Sequence, residues 1–309
     1  MSQTGRPEGE LRPLGGAAQG AVRGDHSSDF VLTYHSHHTL ADEYGLNDHV
    51  ALPQDLVAIT RAGYRIVPLA RIVDRVLDRR AGRAVDDAPG CVALTFDDGP
   101  VYDIDDFRHP VLGWQRGFVP AMQDFLETPL GGEQPELAAT SFVIASPEAR
   151  RVMQTTFDRE YTFLGEDSMG DDWWRRAAAT GLHAIANHSW DHLHPALDRV
   201  AHSRQVRADF TAVDNVGDAD AQILAATRYI AERTGGRAAP YFAYPFGHYS
   251  EFLTGTYFPG RGDVAGVRAA FTTVPRPVAE DDSVWTLPRY TCGHHWKSPA
   301  DLARILGAA

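Results

Sequence analysis

The 309-residue chain has a formal charge of -12 and a pI near 5.5, and it contains two cysteines, Cys91 and Cys292. An acidic surface is repelled by nucleic-acid backbones and anionic membranes, so neither is expected as its main partner, and a neutral or cationic ligand fits better. The cysteines lack the close spacing of a thiolate metal site, and the length suits one main α/β domain.

Residues 1–28 are rich in glycine and polar side chains and hold no apolar run suited to a signal peptide or a membrane span. A disordered tail on a soluble, cytoplasmic protein is expected there, followed by a single domain over 29–309. FVLTYH (30–35) predicts a buried first strand, and VALPQDLVAITRAG (50–63) a helix closed by Gly63. YRIVPL (64–69) predicts a short strand and ARIVDRVLDRRAG (70–82) a helix capped by Gly82. CVALTF (91–96) is the next strand and runs into Asp97, Asp98, Gly99 and Pro100. Residues 101–139 are expected to be a long insertion, the kind of segment that is often functional.

TSFVIAS (140–146) predicts a strand, with Ser146 and Pro147 as N-cap and first turn of the helix that follows. DDWWRRAAATG (171–181) is a short amphipathic helix stopped by Gly181, and HAIAN (183–187) is a strand that leads into HSWDH. DADAQILAATRYIAERTG (218–235) is a strong helix, followed by strand candidates YFAYPFG, VRAAFTT and SVWTLPRY and a capped terminal helix SPADLARIL. Alternating strands and helices favour a parallel sheet or a closed β/α barrel.

Asp-Gly by itself is an ordinary turn dipeptide. Two acids at the carboxyl end of a strand, however, sit where α/β proteins present catalytic groups. His188 and His192 also follow directly from an apolar strand, which puts both motifs at the same end of a parallel sheet. If the chain turns helical from Ser189, their i, i+4 spacing projects both rings from one face. Two imidazoles and one carboxylate leave a coordination position open, a set for which zinc is the expected occupant and which open non-haem iron also takes. Because adjacent residues point different ways, one aspartate can bind the ion while its neighbour faces substrate and moves a proton.

TFDDGP and HSWDH resemble the first two motifs of the polysaccharide deacetylase family, also called carbohydrate esterase family 4 or the NodB-homology family, and the resemblance covers most of the chain from about residue 30. It implies a distorted (β/α) barrel of about seven strands, hydrolysis of an N- or O-acetyl group on a sugar, Asp97 as catalytic base, and Asp98 as metal ligand beside His188 and His192. FAYPFG (242–247) departs from the usual Arg-x-Pro-Tyr/Phe-Gly third motif, since Ala243 stands in place of the arginine that orients the base. This segment, like LTYH followed by GYRIVPL, resembles instead the branch that deacetylates poly-N-acetylglucosamine of biofilms. There the resemblance assigns the Phe246 backbone N–H to the oxyanion and Tyr244 and Pro245 to substrate binding.

The late Leu-x-His motif that supplies a general acid in many members does not occur after residue 250. His294 and His295 in RYTCGHHW are the nearest substitutes, and Arg289 in LPRY is the candidate positive charge for Asp97. His35 matches a Tyr-His pair of the biofilm branch and is expected to line the groove, whereas His37 and His38 read as solvated. Trp190, between the two histidine ligands, is placed near the site. Asp103, Asp105 and Asp106 read as a solvated acidic loop, and His183 as packing. Three functions follow in order: a metal-dependent deacetylase of N-acetylated carbohydrate, a hydrolase of a small intracellular amide with 101–139 roofing its groove, and a carbohydrate-binding protein without catalysis.

Overall fold

The computed structural model describes residues 28–84, 89–156 and 163–308, so the tail expected over residues 1–28 lies, but for Ser28, outside the described residues. Its strands are β1 (Phe30–Tyr34), β2 (Arg65–Ile66), β3 (Cys91–Asp98), β4 (Phe107–His109), β5 (Gly113–Gln115), β6 (Ala139–Val143), β7 (His183–Asn187), β8 (Tyr241–Ala243), β9 (Ala269–Phe271) and β10 (Tyr290–Thr291). Seven of them follow the path β10-β1-β3-β6-β7-β8-β9, and β2 pairs with the start of β3. All pairings in this sheet are parallel. The sheet curls into a distorted barrel, and a bridge between Phe271 and Leu287 spans the gap between β9 and β10.

Side-chain alternation along β1 and β3 separates two apolar regions. Leu32, Tyr34, Val92, Leu94 and Phe96 pack outward with Leu52, Leu56 and Ile59 of the helix Asp48–Arg61 and with Phe118 and Met122 of the helix Phe118–Leu126. Val31 and Ala93 belong instead to an inner cluster with Phe142, Ala186, Ala243, Phe271 and Leu287. Fully burying such aliphatic and aromatic side chains stabilises the fold by roughly 1.5–3 kcal/mol apiece. This alternation fixes the register, and with it the ends of β3 and β7.

The predicted caps are present: Ser146 Oγ accepts the Ala149 N–H at 3.2 Å at the head of the helix Pro147–Thr156. Two expectations need correction, and one element is new. Residues 101–139 are not one loop, because they contain the β4–β5 hairpin and the helix Phe118–Leu126. The strands expected over 64–69 and 283–290 shrink to Arg65–Ile66 and Tyr290–Thr291. A further helical stretch, Leu253–Tyr257 continuing into Phe258–Ala265, is hidden by its glycines and proline, which carry low helix propensity. Both cysteines are buried and free.

Candidate active site

β3 ends by delivering its two carboxylates in different directions. Asp97 continues the inward-facing row below which Thr95 lies, and Arg289 grips it from the barrel interior with Nη1 to Oδ1 at 2.7 Å and Nη2 to Oδ2 at 2.8 Å. The guanidinium is itself fixed, since Nε donates to the Thr272 carbonyl at 3.0 Å and the cation lies 5.2 Å from the centre of the Phe142 ring. Burial alone pushes the Asp97 carboxyl upward, but the charge of Arg289 and its hydrogen bonds outweigh it and hold the group below its usual range. Asp97 is therefore an ionised base in a buried position.

Asp98 turns aside because its φ is 74°, an uncommon left-handed conformation for a non-glycine residue. Gly99 permits the turn: its φ is 79°, and a Cβ there would lie 2.6 Å from Val143 Cγ1. The pairing of β3 with β6 and of β6 with β7 sets Asp98, Val143 and Asn187 side by side, so His188 emerges next to Asp98. One oxygen, one His188 nitrogen and one His192 nitrogen lie within 4.8 Å of one another. The expected helix from Ser189 does not form. Ser189, His192 and Leu193 adopt φ of 74°, 61° and 44°, and an irregular loop, not helical spacing, brings the two rings together with centroids 4.9 Å apart.

This donor set fits a divalent cation. His188 Nδ1 lies 2.9 Å from the Ala243 carbonyl, which assigns the proton to Nδ1 and leaves Nε2 a lone-pair donor. That Nε2 and His192 Nε2 stand 3.6 and 3.8 Å from Asp98 Oδ1, too far for hydrogen bonds, so two ring nitrogens and a carboxylate oxygen converge at a spacing that a cation would bridge. The other Asp98 oxygen, Oδ2, takes the Nε2 proton of His37 at 2.8 Å. Burial raises the Asp98 carboxyl, and the His37 hydrogen bond outweighs it and brings the group well below the usual range. His37, expected in solvent, is buried and oriented on the triad. A signal for it existed in the sequence: His37 follows β1 at the same sheet end as TFDDGP and HSWDH.

A cavity of about 410 Å³ opens over these groups, lined by Asp97, Asp98, His35, His37, Tyr244, Phe246, Thr273, Thr291, His294 and His295 together with His188 and His192. A smaller one of about 240 Å³ shares His35, His37 and His294 with it and reaches Cys292. Phe246 has φ of 58°, and its N–H has no acceptor among the described residues. Its ring stands against that of His192 at 4.4 Å. His295 Nδ1 accepts the Thr291 N–H at 2.7 Å, which places the proton of its neutral form on Nε2. Burial and His294 lower its pKa. Three placements differ from expectation: Trp190 turns away to stack edge-on against Tyr229 at 5.8 Å, Pro245 lies beneath the cavity wall without lining it, and no residue of 101–139 lines either cavity.

Residues 84–254, more than half of the chain, match the family model described as polysaccharide deacetylase. The chain belongs to the polysaccharide deacetylase family. Among solved structures, this polysaccharide deacetylase is similar to the Streptococcus pyogenes deacetylase PplD in complex with acetate, at 14% identity over 90% of this chain and 98% of that one, with a TM-score of 0.55. The de-N-acetylase from Aggregatibacter actinomycetemcomitans matches at 13% identity over 88% and 98% with a TM-score of 0.55. The deacetylase domain of BpsB from Bordetella bronchiseptica matches at 16% over 87% and 97% with a TM-score of 0.52. At these identities the likeness carries the fold. No curated protein matches the chain. Membership makes the protein a hydrolase acting on carbohydrate-type substrates, and no helix among its described residues is long and apolar enough to cross a membrane.

Beneath the site of this deacetylase lies a second polar group, where the sequence pattern leads one to expect a solvated acidic loop. Asp103 is fully buried, bound by Ser36 Oγ at 2.5 Å and by Ser141 Oγ, and Ser141 Oγ also contacts His183 Nε2 at 2.7 Å. Burial pushes Asp103 up to about 7 and His183 down to about 3. Asp105 and Asp106 do behave as surface acids, paired with Arg176 and Arg116.

Proposed function

We propose that this deacetylase removes an acetyl group from an N-acetylated sugar or oligosaccharide, using a divalent cation, zinc for this donor set, held by Asp98, His188 and His192. The cation supplies a Lewis acid that polarises the acyl oxygen and acidifies water. Asp97 accepts the proton of the attacking water, a role that needs an ionised carboxylate and that the Arg289 clamp maintains in a buried position. The unengaged N–H of Phe246 donates to the acyl oxygen as negative charge develops on it. When the carbon–nitrogen bond breaks, the departing amine takes a proton from a histidine on the cavity wall. His294 in its protonated form is the candidate: both rings of the tandem pair line the cavity, but His295 Nδ1 accepts the Thr291 N–H and burial lowers its pKa, which keeps that ring neutral.

The observation that carries this reading is the adjacency of a clamped base and a three-donor cluster, with His188 Nε2 4.0 Å from Asp97 Oδ2. A carbohydrate binder has no use for a base held ionised beside such a cluster. The small-amide alternative loses one of its supports, 101–139 as a roof over the groove, because the segment contributes no residue to either cavity wall. Metal content and acetate release from N-acetylglucosamine oligomers of several lengths test the proposal together. Bound metal with acetate release is the expected result. Bound metal without acetate from any oligomer would move the substrate to other amides, and absence of metal at full activity would remove the cation from the reaction.

A further inference from the structure

The loop Asn187–Leu193 carries both histidine ligands in a strained backbone. Its three non-glycine residues with positive φ cost on the order of 1–3 kcal/mol each in isolation, so the surroundings must impose the conformation. The segment that follows β6 contributes, since the Ala145 and Ser146 N–H groups donate to the Ser189 and Trp190 carbonyls, and a defect in the neighbouring helix supplies a second set of restraints. Between Val216–Ala219 and Ala225–Arg233 the helix widens into a π-turn over Asp220–Leu224, where the Ala225 N–H reaches back to Asp220. π-turns redirect backbone carbonyls away from the regular i to i-4 ladder.

Two of these carbonyls are turned toward the loop. The Gln222 carbonyl accepts the Trp190 N–H at 2.7 Å, and the Ile223 carbonyl accepts from Asn187 Nδ2 at 2.9 Å. The Gln222 side chain, fully buried, adds Nε2 to Asp191 Oδ1 at 2.7 Å and to the Ala201 carbonyl at 3.1 Å. Asp191 passes the restraint on, because its Oδ1 also accepts the Leu193 N–H at 2.9 Å. The Ser189 N–H donates to Asn187 Oδ1 at 2.7 Å, so every residue between the two ligands is tied to the π-turn directly or through one partner.

We infer that the π-turn Asp220–Leu224, acting chiefly through Gln222 and Asp191, positions His188 and His192 for cation capture. Neither residue touches substrate or lines the cavity, so both are positioning residues. The inference rests on the metal reading of the site.

The test is the zinc dissociation constant, measured by competition with a chromophoric chelator, together with the visible spectrum of the cobalt-loaded protein. It uses the whole chain, Gln222→Met and Asp191→Asn, so that a folding failure in one variant leaves the other to decide. Thermal unfolding of the metal-free forms records that the fold is retained. Zinc affinity weakened tenfold to a hundredfold, with an altered cobalt spectrum, is expected in a folded variant, as for other residues that orient metal ligands. Wild-type affinity and an unchanged spectrum in a folded variant would overturn the inference while leaving the metal site intact. A wild-type chain that binds neither ion would instead remove the metal reading on which the inference stands.

Discussion

Arg289 and Asp97 lie 192 residues apart in the chain and meet through both carboxylate oxygens in the barrel interior, where Arg289 is fully buried. Removing one member of such a pair leaves the other charge buried without compensation. Arg289→Ala is expected to lower stability by about 3–5 kcal/mol, measured by urea unfolding. Arg289→Lys keeps the charge and loses the planar two-point grip, so it separates folding from chemistry. With a weaker counter-charge the Asp97 pKa rises, and the acid limb of the kcat/KM profile moves to higher pH in the lysine variant. An unmoved limb would deny Arg289 its role in keeping the base ionised.

His37 holds Asp98 Oδ2 while Oδ1 faces the two imidazoles, which makes Asp98 a one-oxygen donor with a fixed direction. His37→Ala is expected to weaken zinc affinity by about 10- to 100-fold and to recover most of kcat when zinc is in excess. Titration of activity against free zinc distinguishes this from direct participation. A kcat that stays low at saturating zinc would make His37 part of the chemistry.

The sheet and both front motifs were legible because they rest on local signals: apolar runs that end abruptly in Asp97–Asp98 and in His188, each at the carboxyl end of a strand. Parallel pairing then places them together without further information. The path from His188 to His192 was not legible, since positive φ at Ser189 and His192 belongs to a loop tied to the distant Gln222 through Trp190 and Asp191 and is invisible to residue spacing. His37 and Asp103 were missed for a related reason. A histidine or aspartate after a strand end resembles a loop residue until the partner that buries it, Asp98 or Ser141, is known. The Arg289 expectation came from charge balance at Ala243, and the bidentate geometry supplies its physical basis.

Asp97→Asn keeps the volume and removes the proton acceptor. A fall in kcat of about 10²- to 10⁴-fold is expected, the range for loss of a positioned general base, with zinc content unchanged because the proposed ligand is the neighbouring Asp98. Zinc loss in this variant would mean that the two aspartates share the ion.

Asp103 gives the site a pH-dependent foundation. Burial pushes its carboxyl up to about 7, whereas in the unfolded chain an aspartate titrates near 4. Between those values the folded state holds a proton that the unfolded state has released, so this group's contribution is complete below about pH 4 and is lost as pH rises through about 7. Asp103→Asn cannot lose the proton, and it retains an acceptor and a donor for Ser36 and Ser141. Relative to the wild type, the variant should therefore gain about 2–3 kcal/mol between pH 5 and pH 8, read from urea midpoints. Asp55, also raised to about 7 by burial, is common to both proteins and cancels in the difference. The comparison belongs to chelator-treated protein, because a cation at Asp98 would draw the Asp103 pKa down. A difference that does not vary with pH would place the Asp103 carboxyl at an ordinary pKa and leave its burial balanced by Ser36 and Ser141 alone.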